Sequence, residues 1–147
     1  MSDFRTLSSS VLASPQLTAA DIETAHSLGV TTIVNNRPEG EAADQTAGAA
    51  IESAAKAAGM DYVAIPISHG NFGESEVRAM VDALDRANGK VLAYCRTGTR
   101  STLLWALAQA ARGEPLDSIA AAAAAAGYDV SPVVPALVEL ADRANLK

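Results

Sequence analysis

One cysteine, an arginine-rich loop and a serine decide what chemistry this chain can do. Cys95 ends the apolar run Val91-Leu92-Ala93-Tyr94 and is followed by Arg96-Thr97-Gly98-Thr99-Arg100-Ser101. The apolar run predicts a buried strand, and Thr102-Leu103-Leu104-Trp105-Ala106-Leu107-Ala108 behind the loop predicts a helix. At a strand–loop–helix junction the first helical N–H groups lack partners within the helix. The helix dipole adds partial positive charge there, so the junction attracts an anion and draws a thiol toward thiolate. Arg96 and Arg100 add charge of the same sign. Gly98 allows a tight curl that aims the backbone donors of Arg96, Thr97, Gly98 and Thr99 inward. Arg100 carries the planar fork that holds two oxygens of a tetrahedral anion. Ser101 is placed to donate to the Cys95 sulfur and steady it as a leaving group. A loop of this composition suits nucleophilic attack on phosphorus or on sulfur. A lone cysteine ending a strand is most simply a small buried apolar side chain; the Cys-x-x-Gly-x-Arg-Ser context favours the functional reading.

The elements around this loop read as strands alternating with helices. Short apolar pieces at 4–7 and 11–13 flank Ser8-Ser9-Ser10 as a small edge hairpin. Thr18 with Asp21 three residues on begins a helix that Gly29 ends. Residues 30–34 form a β-branched strand leaving into Asn35-Asn36-Arg37-Pro38. A long alanine-rich helix is expected over 41–58, a strand over 60–67, a helix over 75–87 and a strand over 90–94. Three helices follow, from 99 or 100 to 112, from 115 to 126 and from 131 to about 145. Alternation of this kind predicts an α/β domain spanning 1–147: three layers, with a mostly parallel central sheet between helices. Ligands of such sheets bind where the strands' C-terminal ends meet one edge. The loops at 35–38, 68–73 and 95–100 should therefore open on one crevice, bringing Arg37 and His69 to Cys95, Arg96 and Arg100. Trp105 is expected to pack behind the loop, and Glu74 and Glu76 to be first-turn helix charges.

Bulk composition narrows the function classes. The 147 residues are 49% hydrophobic and 19% charged, enough for one domain with a real core. A net charge of −6 argues against broad nucleic-acid binding or a basic membrane-surface role. Any anion must be held by a local positive pocket. A single cysteine cannot form an internal disulfide, which points to a reducing compartment, and with two histidines it makes a poor zinc set. The start Met-Ser-Asp-Phe-Arg lacks a signal peptide's apolar core, and the run at 119–126 is too short to span a bilayer. The expectation is a cytoplasmic protein with no metal or cofactor and no nucleic-acid or membrane partner. Apolar faces on its alanine-rich helices are suited to pairing with a second copy.

The run Cys95-Arg-Thr-Gly-Thr-Arg100-Ser101 followed by Leu-Leu-Trp resembles a bacterial phosphatase-like family, formerly a domain of unknown function. That domain is also found fused to β-lactamase-like hydrolases. Leu12-Ala13-Ser14-Pro15-Gln16-Leu17, Ile33-Val34-Asn35-Asn36-Arg37-Pro38-Glu39-Gly40-Glu41 and Tyr62-Val63-Ala64-Ile65-Pro66-Ile67 fit the same family in the same order. The resemblance implies the fold of dual-specificity and tyrosine phosphatases. It makes Cys95 the nucleophile of a phosphocysteine intermediate, Arg100 the phosphate-binding arginine and Ser101 the thiolate's assistant. Three departures stand out. Tyrosine-type phosphatases place five residues between Cys and Arg and this chain four, a spacing that resembles the loop of rhodanese-type sulfurtransferases, where a persulfide forms on the cysteine. The loop at 68–74 holds no aspartate to act as general acid, so His69 becomes the candidate, with Glu74 behind it. Tyr94 also stands where tyrosine phosphatases usually carry histidine. Three functions are therefore weighed: hydrolysis of a phosphate monoester on a small molecule or protein, phosphotyrosine among them; sulfur transfer from a sulfane-sulfur donor; and anion binding without turnover.

Overall fold

The computed structural model describes residues 2–68 and 70–145. The chain opens with the expected hairpin: β1 (Arg5–Thr6) runs antiparallel to β2 (Val11–Ser14). Of these two strands only β1 is at an edge of the sheet, because β2 goes on to pair with a strand some 80 residues further along the chain. Thr18 caps α1 (Ala19–Ser27). Its hydroxyl accepts the Asp21 N–H at 3.3 Å and the Asp21 carboxylate accepts the Thr18 N–H at 2.8 Å, a reciprocal capping box. β3 (Val30–Asn35) follows, then α2 (Gly48–Ala57), β4 (Asp61–Ala64), α3 (Glu74–Arg86), β5 (Lys90–Tyr94), α4 (Thr99–Ala111), α5 (Leu116–Ala125), a 3-10 turn at Ser131–Val133 and α6 (Val134–Asn145).

Two expected elements are shorter than their sequence pattern. The helix anticipated over 41–58 begins only at Gly48. Alanine content favours helix across the whole stretch, but side chains hold its first part open. The Gln45 amide oxygen accepts the Glu41 and Ala42 N–H groups, and its amide nitrogen donates to the Pro38 carbonyl. Glu39 reaches forward to accept the Gly48 N–H at 2.9 Å, capping α2 from outside. The strand anticipated over 60–67 stops at Ala64. Ile65 and Ile67 still donate to the Asn35 and Asn36 carbonyls, but Pro66 between them has no N–H to give.

The sheet order is β1-β2-β5-β3-β4, with β2, β5, β3 and β4 all parallel. Its alternating side chains face two separate cores. Leu92 and Tyr94 of β5 pack with Ile22 of α1 and Ile51 of α2 on one side. Val91 and Ala93 pack with residues of α3, α4, α5 and α6 on the other. α4 is the middle of that second layer: every residue from Ser101 to Ala108 is buried, Trp105 among them. A helix with no polar face is one enclosed on all sides. Register then places the site. Ser14 pairs with Tyr94, Tyr94 with Asn35 and Asn35 with Ala64, so four parallel strands finish level at one edge. No helix among the described residues is long and apolar enough to cross a membrane.

Candidate active site at the strand ends

The loop between β5 and α4 rises from the centre of this edge. Cys95 is completely buried, and its sulfur accepts the Gly98 N–H at 3.1 Å. Gly98 makes this approach possible by sitting at φ 91°, in the left-handed region that residues with a Cβ disfavour. The Gly98 carbonyl accepts both the N–H and the hydroxyl of Thr102, starting α4. Thr97 and Thr99 join their hydroxyls at 3.0 Å, and the Thr97 oxygen also takes the Thr99 N–H at 3.4 Å. Arg96 and both threonines are exposed at the rim.

Arg100, in the first turn of α4, is anchored from the far side of the crevice. Its Nη1 donates to Glu41 Oε2 at 2.7 Å and to the Ile67 carbonyl at 2.8 Å, and its Nη2 donates to Glu41 Oε1 at 2.8 Å. Arg37 approaches the same carboxylate. It is 5% exposed, donates from Nε to Glu41 Oε1 at 3.0 Å and from Nη1 to Gln16 Oε1 at 3.0 Å. Glu41 thus bridges two guanidinium groups. Its pairing with Arg100, reinforced by Arg37, pulls its carboxyl down to about 2 against partial burial. Arg100 moves the opposite way: the bond to Glu41, with the nearby Cys95, raises it against the cost of burial. Among the described residues, three of the five Arg100 N–H groups are engaged, which leaves Nε–H and one Nη2 proton for an incoming anion.

Ser101 behaves differently from its expected contact. Its hydroxyl donates to Asn36 Oδ1 at 2.7 Å, so its single proton is not on the Cys95 sulfur. Asn36 is fully buried and fixed in orientation: its amide nitrogen donates to the Ile65 carbonyl and its backbone N–H to the Tyr94 carbonyl. The pair ties α4 to the ends of three strands. Tyr94 turns away from the loop into the core beside α1 and α2, where burial pushes its phenol up. The loops after β3 and β5 do meet, through Arg37, Glu41 and Arg100. The loop after β4 joins them through the Ile67 carbonyl. His69 lies outside the described residues. Glu74 begins α3 and pairs with Arg78 at 3.4 Å across an exposed helix face, as a first-turn charge would.

Sequence reasoning missed Glu41, Asn36, Gln16 and Tyr128. Glu41 was placed in a helix, where its charge needed no explanation. The Asn36–Ser101 bond joins residues 65 apart, and no local pattern announces such a contact. Tyr128, on the turn after α5, donates to the Thr97 carbonyl at 3.2 Å.

A parallel sheet with helices on both faces, and a cysteine loop leading into the next helix, is the fold of dual-specificity and tyrosine phosphatases. PTPMT1 shares this fold, with a TM-score of 0.75 at 13% identity over 97% of each chain. The chain belongs to the phosphatase-like domain family of the beta-lactamase hydrolase-like proteins, whose model matches residues 3–112. Its beta-lactamase hydrolase-like relative from Agrobacterium fabrum is 39% identical over 94 residues, 64% of this chain and 22% of that protein. One from Xylella fastidiosa is 33% identical over 107 residues, 72% of this chain and 25% of that protein. The chain therefore spans about a quarter of the length of these relatives. A crystal structure of a candidate phosphatase from Neisseria meningitidis superposes with a TM-score of 0.82 at 35% identity, over 94% of this chain and 98% of that one. A phosphatase-like function follows from this membership.

Proposed function

We propose that the chain hydrolyses phosphate monoesters through a phosphocysteine on Cys95. The observation that carries this reading is the placement of the Cys95 sulfur under the Gly98 N–H, with the Arg100 guanidinium held at the rim above it. The sulfur attacks phosphorus, an S–P bond forms and the bond from phosphorus to the ester oxygen breaks. The two remaining Arg100 protons and the N–H groups of Arg96, Thr97 and Arg100 take the non-bridging oxygens, where charge is concentrated in the transition state. Arg37 contributes by holding Glu41, and Glu41 by holding Arg100. Ser101 acts through Asn36, fixing α4 and with it the loop. His69, next along the chain from Ser68 after β4, supplies the proton to the leaving oxygen. Water then cleaves the S–P bond, releasing phosphate and restoring the thiolate. The test is phosphate release from an aryl phosphate across pH 5–8 by the chain and by Cys95→Ser. Release by the first and not the second is expected; none by either sinks the reading.

One observation favours a second reading, sulfur transfer. The loop has four residues between Cys95 and Arg100, and two of its amides are turned onto the loop itself: Gly98 N–H to sulfur and Thr99 N–H to Thr97. A ring drawn in this way suits one sulfur atom better than a PO₃ group. In this reaction the Cys95 thiolate takes the outer sulfur of thiosulfate, sulfite leaves with the electron pair of the broken S–S bond, and a thiol acceptor later removes the persulfide sulfur. Incubation with thiosulfate would add the mass of one sulfur to the chain but not to Cys95→Ser. An unchanged mass would exclude it for that donor.

A further inference from the structure

Tyr128 lies beyond the segment 3–112 that the family model covers, yet it touches the loop at its most sensitive point. Its hydroxyl donates to the Thr97 carbonyl. That carbonyl and the Gly98 N–H are the two ends of one peptide group, and the N–H end donates to the Cys95 sulfur. The phenol, the peptide and the sulfur therefore form one hydrogen-bonded chain. The phenol also lies against the Gly98 Cα, where a Cβ would overlap it. Its other side is covered by the Arg5 guanidinium, 5.6 Å from the ring centroid and bonded to the Ala126 carbonyl at 3.0 Å. The ring is thus held from β1 and from the end of α5.

A glycine at φ 91° leaves its preceding peptide plane free to rotate at little cost. Rotation by half a turn would point the Thr97 carbonyl at the sulfur and the N–H away, replacing an attraction for the thiolate by a repulsion. A donor fixed on the carbonyl opposes that rotation. It also polarises the amide, so that the N–H at the other end is a stronger donor. We propose that Tyr128 is a positioning residue for the nucleophile, holding the Thr97–Gly98 peptide so that its N–H stabilises the Cys95 thiolate. The inference rests on Cys95 working as a thiolate and is indifferent to whether phosphorus or sulfur is attacked. Other groups act on the same sulfur: Arg100 from α4, whose charge is shared with Glu41, and through Glu41 Arg37 from the loop after β3. These stay in place when the phenol hydroxyl is removed.

The experiment follows thiolate absorbance at 240 nm against pH in the wild type, Tyr128→Phe and Arg5→Leu, with Cys95→Ser as the blank. Tyr128→Phe keeps the ring on Gly98 and under Arg5 and loses only the hydroxyl. Its thiolate midpoint should rise by about half a pH unit, roughly a threefold fall in the thiolate-to-thiol ratio, the scale of one net hydrogen bond. Arg5→Leu removes the group that holds the ring from β1 and keeps the hydroxyl, so its midpoint should rise too, by no more than in Tyr128→Phe. An unmoved midpoint in Tyr128→Phe overturns the proposal, and so does a rise in Arg5→Leu larger than in Tyr128→Phe, which would assign the effect to the charge of Arg5 acting on the sulfur without the phenol. A midpoint that rises in Tyr128→Phe, in a protein that turns over neither aryl phosphate nor thiosulfate, would sink the enzymatic reading and leave this one standing.

Discussion

Replacing Glu41 with glutamine would remove the one negative charge that Arg37 and Arg100 share while keeping the side chain's shape. Arg37 is 5% exposed and Arg100 is 19% exposed in its side chain, so both guanidinium groups would keep their desolvation cost and lose their counter-charge. The size of the loss can be read from Glu41 itself. Its carboxyl is pulled from the ordinary 4.5 to about 2, chiefly by Arg100. Converted at 1.36 kcal/mol per unit, this is at most roughly 3 kcal/mol, and because Glu41 is exposed to solvent, screening reduces it to about 1–2 kcal/mol at neutral pH. The sign follows from proton binding. Between pH 4.5 and 2 the unfolded chain holds a proton on Glu41 and the folded chain does not, so the contribution is complete above about 4.5 and disappears as pH falls through 2. Urea denaturation of both proteins between pH 7 and pH 2 reads this directly. Wild type should exceed Glu41→Gln by about 1–2 kcal/mol at pH 7, and the gap should close toward pH 2. A gap that stays constant with pH would mean that glutamine costs stability through packing, and no gap at pH 7 would refute the pairing energetics. Steady-state kinetics should separate the same roles: with Arg100 no longer held to Glu41, kcat should fall more than KM rises, because the arginine is present but poorly aimed.

Three further outcomes test the loop and its frame. Gly98→Ala should cost more than Gly113→Ala: both positions have positive φ, but only at 98 would the new Cβ meet Tyr128, while nothing lies within 4 Å at 113. The backbone strain is about 1–2 kcal/mol at each site, and the excess at 98 in urea denaturation reports the Tyr128 contact; equal costs would mean the contact is slack. Asn36→Ala strands the Ser101 hydroxyl and the Ile65 carbonyl inside the protein. It should destabilise by roughly 2–4 kcal/mol with a matching drop in the denaturation midpoint, and a change within experimental error would show that neither bond matters. Thr18→Ala breaks the α1 capping box two residues beyond Gln16, whose N–H donates to the Arg96 carbonyl; a loss of about 1 kcal/mol with turnover unchanged is expected, and altered turnover would mean that the cap fixes Gln16 and through it the loop.

Local pattern carried much of this protein. The apolar run into Cys95, the glycine three residues on and the helix behind it are all adjacent in sequence, and adjacency is what hydrophobic period and helix-end chemistry can read. Alternating strands and helices led to the parallel sheet, since only crossovers through helices connect parallel neighbours. The same pattern placed three loops on one edge, and Arg37 and Arg100 do reach one another there through Glu41. Where local propensity competed with a distant charge, it lost. Residues 41–47 have the composition of a helix, but Gln45 bonds the turn closed and Glu41 is taken by two arginines, one of them 59 positions away. The Ser101 hydroxyl likewise donates to a residue distant in sequence, Asn36, a buried amide that Ile65 fixes in orientation. Tyr128 reaches Thr97 across 31 residues. Residue types and spacing were enough to identify the nucleophile loop. Which groups hold that loop depended on the register of β2, β3, β4 and β5, a long-range property that decides which side chains stand level when the sheet is assembled.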